Sequence, residues 1–202
     1  MPELATSLLF IDGTNFFLRH RQLYPGKIVD YRKFIPRLIE TCGYRTQLKA
    51  AFFFTAPFTH NTNSQIYSEH VSLMNHIQDA VRQYLPIELI NGRHQKKEVY
   101  CPLCNATFQT QREKRTDVAM ATRMIQAAFR KEADTFLLVT EDSDFIPAIV
   151  ASKELGIDVI LFSLAHDTID QLRSCVNAVV ILDRDILYNS WRPPNNRRMS
   201  ET

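Results

Sequence analysis

The chain has 202 residues, 45% of them apolar and 23% charged, with a formal net charge of +2; this is enough for one domain with a full core and too balanced for nucleic-acid binding through overall charge alone. Only five residues are glycine (13, 26, 43, 92 and 156), and no two lie within six positions of each other, which excludes a G-x-x-x-x-G-K-[ST] phosphate loop and a G-x-G-x-x-G dinucleotide turn. No run approaches the ~18 apolar residues of a membrane span, and residues 1–10 lack the basic start and apolar stretch of a secretory leader, so the expected location is cytoplasmic.

Residues 7–11 (SLLFI) read as a short buried strand ending at Asp12. A helix is expected over 14–24, a turn at Pro25-Gly26, and a second helix from a cap at Asp30 to about residue 41, with Gly43 beyond its end. Residues 48–55 (LKAAFFFT) read as a second buried strand, 65–84 as a helix with Ile66, Leu73, Met74, Ile77 and Val81 at helical spacing, and 87–90 as a third strand. Residues 92–115 interrupt this rhythm: the segment is polar, Tyr100 and Phe108 flank Cys101-Pro102-Leu103-Cys104, and it reads as an inserted hairpin. The alternation then resumes with a helix over 117–131, a strand over 136–139, a helix over 145–155, a strand over 157–162, a short helix over 167–175, a strand over 178–182 and a helix or turn over 183–191. Residues 1–191 are expected to form the domain and 192–202 a polar, disordered tail.

Strands separated by helices argue for an α/β domain, a mainly parallel sheet with helices on both faces in three α/β/α layers. Ligands of such sheets bind beyond the carboxyl ends of the strands. The first strand ends at Asp12, and the strand over 136–139 leads into Thr140-Glu141-Asp142-Ser143-Asp144. Asp117 opens the helix that feeds that strand. Asp12, Asp117, Asp142 and Asp144 are therefore candidate neighbours. Clustered carboxylates repel one another unless a divalent cation joins them, and carboxylates with water suit Mg²⁺ or Mn²⁺. A metal pair of this kind activates a water and stabilises the leaving oxygen of a phosphodiester. The same residues also suit helix capping, with Asp12 or Thr14 at the first helix and Asp144 at the helix beginning near Phe145.

The segments IDGTNF (11–16), KRTDVAMA (114–121) and TEDSDF (140–145), in this order, resemble the NYN family, in particular the LabA-like branch of the PIN-like nucleases. The resemblance runs from about residue 8 to 182. It implies a PIN-like, Rossmann-like fold and metal-dependent ribonuclease activity, with Asp12, Asp117, Asp142 and Asp144 as both catalytic residues and Mg²⁺ or Mn²⁺ ligands. It also implies that Asn15 orients Asp12 or touches the scissile phosphate, that Thr140 and Ser143 are supporting hydroxyls, and that Lys114 is the basic residue preceding Asp117. The family usually has glycine where this chain has Glu141. Should that position require a positive φ, glutamate is strained there; otherwise Glu141 points to solvent or adds a metal ligand.

RNA requires positive charge around such a pit. Arg19, Lys114 and Arg115 are candidate substrate contacts, with Arg93, His94, Lys96, Lys97 and Arg112 along the hairpin and Tyr100 and Phe108 as stacking surfaces; the alternative is a solvated hairpin whose aromatics pack on the body. The expected partner is RNA, single-stranded or structured, and a homodimer is a second candidate assembly. Cys101 and Cys104 have metal-knuckle spacing, but structural zinc takes four ligands; His94 is a candidate third, and another subunit is one candidate source of a fourth. A reduced pair without metal is the competing reading. Cys42 and Cys175 read as core thiols, and His60, His70, His76 and His166, without partner spacing, are expected on the surface. A dehalogenase-type phosphatase needs a carboxylate nucleophile where this chain has Phe10. The remaining alternative to a ribonuclease is a catalytically silent RNA-binding or scaffold module of the same fold.

Overall fold

The computed structural model describes residues 5–43, 45–56, 64–83, 87–164 and 170–192, apart from the side chains of residues 64, 79–83, 94, 96 and 109–113. In chain order the elements are β1 (Ala5–Asp12), α1 (Gly13–Leu23), α2 (Tyr31–Thr41), β2 (Thr46–Thr55), α3 (Ser64–Gln83), β3 (Ile87–Asn91), β4 (Arg93–Tyr100) and β5 (Thr107–Lys114). They continue as α4 (Thr116–Phe129), β6 (Thr135–Val139), a 3-10 turn (Ser143–Phe145), α5 (Ile146–Glu154), β7 (Asp158–Ser163), α6 (Asp170–Cys175), β8 (Ala178–Ile181) and α7 (Arg184–Tyr188). Six strands form one sheet in the order β3-β2-β1-β6-β7-β8, every neighbouring pair parallel. β4 and β5 pair only with each other, as an antiparallel hairpin.

The central strands are apolar almost throughout because both of their faces are covered. Successive side chains point to opposite faces. Leu9, Ile11, Phe53, Leu137, Val139 and Phe162 thus share one core with Phe16, Tyr31, Phe34 and Leu38 from α1 and α2. Leu8, Phe10, Phe52, Phe54, Phe136, Leu138 and Leu161 share the other with Met120 and Met124 from α4 and Ile149 from α5. Each such side chain contributes ~1.5–3 kcal/mol through burial. Phe10, stacked on Phe52 and edge-on to Phe136, is a core residue, in keeping with the exclusion of a phosphatase nucleophile there.

From β1 the strand order runs outward to β3 on one side, and from β6 to β8 on the other, so the topological switch lies between β1 and β6. Their register sets Ile11 opposite Val139, which brings Asp12 and Thr140 side by side at the carboxyl edge.

Two expectations are corrected. His70 and His76 are buried, not exposed. The His70 ring lies 3.3 Å from the Thr55 hydroxyl, and His76 lies 3.1 Å from the carboxylate of Asp30, which also caps α2 and is held down to about 2 chiefly by its hydrogen bonds to Arg32. Asp144 does not cap the helix after it: Asp142 caps the 3-10 turn by accepting from the Asp144 amide, and α5 starts behind it with no side-chain cap. His60, His166 and residues 193–202 of the expected tail over 192–202 lie outside the described residues, whereas Arg192 is tied to the domain by the hydrogen bond that its backbone N–H donates to the Ile28 carbonyl.

Candidate active site

The first-strand aspartate serves in two ways. Asp12 is buried (6% exposed); its Oδ1 accepts from the Asn15 amide and so caps α1, while Oδ2 accepts from the Thr140 hydroxyl at 3.0 Å. The tight entry into α1 depends on Gly13. A Cβ there would sit 2.2 Å from the Phe53 ring and 2.8 Å from the Phe54 carbonyl oxygen, so only glycine lets α1 begin against β2. Beside it, the Thr14 hydroxyl lies 3.2 Å from that of Thr55, which joins Thr14 to His70.

From Asp12 a hydrogen-bonded relay runs across the switch point. Thr140 is buried, and its hydroxyl donates to Asp12 and accepts from the Asp142 amide at 3.1 Å. Asp142 in turn accepts from the Asp144 amide at 2.9 Å. Asp117 stands in the first turn of α4. Loss of hydration, and then the negative charges of Asp142 and Asp144, push its carboxyl above the ordinary range. Four carboxylates from three separate stretches of sequence therefore gather at one edge of the sheet.

This donor set suits a hard divalent cation, which would relieve the repulsion felt by Asp117. Among the described residues no three carboxylate, imidazole or thiol groups stand close enough to hold one ion as placed. Binding thus requires side-chain rotation, most readily at the exposed Asp117 and Asp144.

Of the remaining expected contacts, Asn15 is half-buried beside Asp12 and Ser143 opens the 3-10 turn. Lys114 ends β5 and Arg115 follows it in the left-handed region at φ 84°; both are exposed. With Arg93 they line an open groove of about 620 Å³ between the hairpin and α4, next to Asp117. Arg123 borders the same groove but is occupied by Glu132 and by the Phe52 ring. Gly92 lets the hairpin leave close to α4, since a Cβ there would lie 2.6 Å from the Thr116 methyl.

Glu141 departs from all three expectations raised for it. Its φ is not positive, and it neither turns to solvent nor joins the aspartates. Its Oε1 accepts from the Ser163 hydroxyl at 3.2 Å, and its Oε2 lies 3.1 Å from the Arg19 Nε. The latter contact is charge pairing without an aligned hydrogen bond. Arg19 is consequently held at the site's margin by a carboxylate where the NYN pattern has none. Neither this pairing nor the Thr14–Thr55–His70 contact has a sequence signal beyond the position of Thr55 at the end of a strand.

At the hairpin tip, Tyr100 and Phe108 are exposed rather than packed on the body. The Cys101 sulfur accepts from the amides of Cys104 and Leu103, which lowers its thiol, and all four cysteines are free. The expected zinc set with His94 does not assemble. Its side chain lies outside the described residues, and its backbone sits on β4 opposite Glu113 of β5, seven residues from Cys101, or about 23 Å at ~3.3 Å per residue.

The NYN domain family model matches residues 6–183. A solved protein of unknown function from Vibrio parahaemolyticus overlays with a TM-score of 0.61 at 17% identity, covering 95% of this chain and 99% of its own; at that identity the likeness is one of fold. MurG from Acinetobacter baumannii and phosphofructokinase-2 from Escherichia coli give TM-scores of 0.42 and 0.39 at 12% and 11% identity, covering 87% and 88% of this chain and 40% and 61% of theirs. No curated protein matches.

Proposed function

We propose, from the premise that this chain belongs to the NYN domain family of PIN-like nucleases, that it is a Mg²⁺- or Mn²⁺-dependent ribonuclease of the LabA-like branch, hydrolysing RNA phosphodiester bonds. The observation that carries this reading is the Asp12–Thr140–Asp142–Asp144 relay at the switch point, with Asp117 repelled by its neighbours. Asp12 and Asp142 would hold the main ion, with Asp117 and Asp144 completing a second or weaker position. When bound, the metal lowers the pKa of a water and stabilises charge on the phosphate oxygens.

The chain's own groups supply the rest. Thr140 fixes the carboxylate of Asp12, and the Asn15 amide fixes its other oxygen, so the ligand needs little reorganisation. Ser143 and Asn15 would contact the scissile phosphate. Lys114, Arg115 and Arg93 neutralise the strand approaching through the groove, and Tyr100 and Phe108 offer faces for unpaired bases, which favours single-stranded over duplex RNA. Arg19 joins them only when released from Glu141. The reading places the enzyme in the cytoplasm, where its cysteines stay reduced; among the described residues no helix is long and apolar enough to cross a membrane.

The test is cleavage of an end-labelled single-stranded RNA by the purified chain with Mn²⁺ or Mg²⁺ and with EDTA. Metal-dependent cleavage leaving a 5′-phosphate is the expected result. RNA binding without cleavage under either metal would instead identify a catalytically silent RNA-binding module.

A further inference from the structure

The hairpin tip carries a ligand pair that the nuclease site does not use. We propose that Cys101 and Cys104 form half of a zinc site, completed by the same two residues of a second copy, so that a Zn²⁺ ion joins two chains tip to tip.

Several observations converge on this. The turn is built as a metal knuckle: the amides of Leu103 and Cys104 point at the Cys101 sulfur, the Asn105 amide closes on the Cys101 carbonyl, and the Cys101 amide closes on the Ala106 carbonyl. The bend needs a left-handed residue directly after the second cysteine. Asn105 supplies it at φ 55°, a conformation asparagine adopts more readily than most residues, with its side chain held by the Tyr100 hydroxyl. The turn is thereby closed by its own hydrogen bonds, and the Cys104 side chain lies in contact with Cys101.

The tip is also accessible. Cys104 is exposed, and Leu103 beside it is 94% exposed, so the turn is open to a second molecule. The hairpin forms its own sheet and adds no strand to the central one.

Finally, among the described residues the site is incomplete within one chain. Zinc takes four ligands in a closed tetrahedral site. Among the described residues no group of three ligands exists, and His94 is too far along β4. Two tips related by a twofold axis supply four thiolates, the commonest symmetry for a homo-oligomer, and set Pro102 and Leu103 of each copy against the other. Each thiol gives up its proton to solvent on binding, so the ion and its four ligands carry a net charge of −2. Joined at their tips, the two copies leave the groove at each hairpin base open.

The experiment uses the full chain, reduced and stripped of metal, then titrated with Zn²⁺ while its mass is followed by sedimentation equilibrium. The account expects the mass to double as one Zn²⁺ is taken up per two chains, with no doubling in Cys101→Ser or Cys104→Ser. Co²⁺ in place of Zn²⁺ should give thiolate charge-transfer bands and visible bands of tetrahedral intensity, separating this site from the carboxylates, which give no thiolate band. A monomer at saturating zinc, a dimer independent of zinc or of the cysteines, or Co²⁺ spectra without thiolate bands would each overturn the proposal, whatever the outcome of the RNA cleavage assay.

Discussion

Thr140→Val removes one hydroxyl and preserves the side chain's shape, at a residue that is 2% exposed. Two bonds disappear together: the 3.0 Å donation to the Asp12 carboxylate and the 3.1 Å acceptance from the Asp142 amide. Orphaning a charged buried acceptor costs ~1.5–3 kcal/mol and losing a neutral bond ~1 kcal/mol, so the variant should be destabilised by about 3 kcal/mol, a large share of the ~5–15 kcal/mol that holds a domain together. Thr140→Ser keeps the hydroxyl and loses one methyl, costing ~1 kcal/mol. Urea unfolding followed by the fluorescence of Trp191, the single tryptophan, measures both. Because Asp12 loses its orienting partner, metal-dependent cleavage should fall ~10–100-fold in the valine variant and stay within a few-fold of wild type in the serine variant. Equal stability and equal cleavage in the two variants would refute the claim that Thr140 ties Asp12 to the Asp142 turn.

Three further tests address other parts of the structure. Burial holds His20 down to about 4, where its Nε2 accepts from the Trp191 indole; the stability tied to its neutral form is fully present above pH 6.5 and lost as pH falls through 4. Wild type should therefore lose about 3 kcal/mol more than His20→Gln between pH 7 and 4, and parallel stability curves would contradict this. Gly13→Ala drives a methyl into Phe53 and the Phe54 carbonyl and should cost ~1–3 kcal/mol together with most of the cleavage activity; a fully active, stable variant would show that the turn needs no glycine. Glu141→Gln releases Arg19 and should tighten RNA binding while steepening its salt dependence by about one contact; an unchanged slope would mean that Arg19 faces no RNA.

The fold was largely legible because its signals are local and redundant: short apolar runs such as LLFI and AFFF, set between helical patterns, suit strands covered on both faces, and Gly43 and Gly156 mark helix ends at positive φ. That Asp12 and Asp142 follow strands at the carboxyl edge was legible from the parallel α/β pattern; that those two strands are neighbours is set by the pairing of β1 with β6. The alternative reading of Asp144 as a cap missed the 3-10 turn, which shifts the capping role back to Asp142. Asp30 was legible as a cap, but not as the partner of His76, because that contact joins residues 46 positions apart. Glu141 illustrates the same limit. Its partners Arg19 and Ser163 come from α1 and the end of β7, and long-range side-chain pairing of this kind leaves no periodicity to read.

The central claim is that carboxylates from separate segments act through one metal site, and Asp12→Asn and Asp142→Asn test it most directly. Each should bind Mn²⁺ more weakly and cut single-stranded RNA at least ~100-fold more slowly than wild type, a loss of ~2.7 kcal/mol in transition-state stabilisation, while retaining the RNA affinity set by the basic groove. Unchanged manganese affinity and unchanged cleavage in both variants would contradict it.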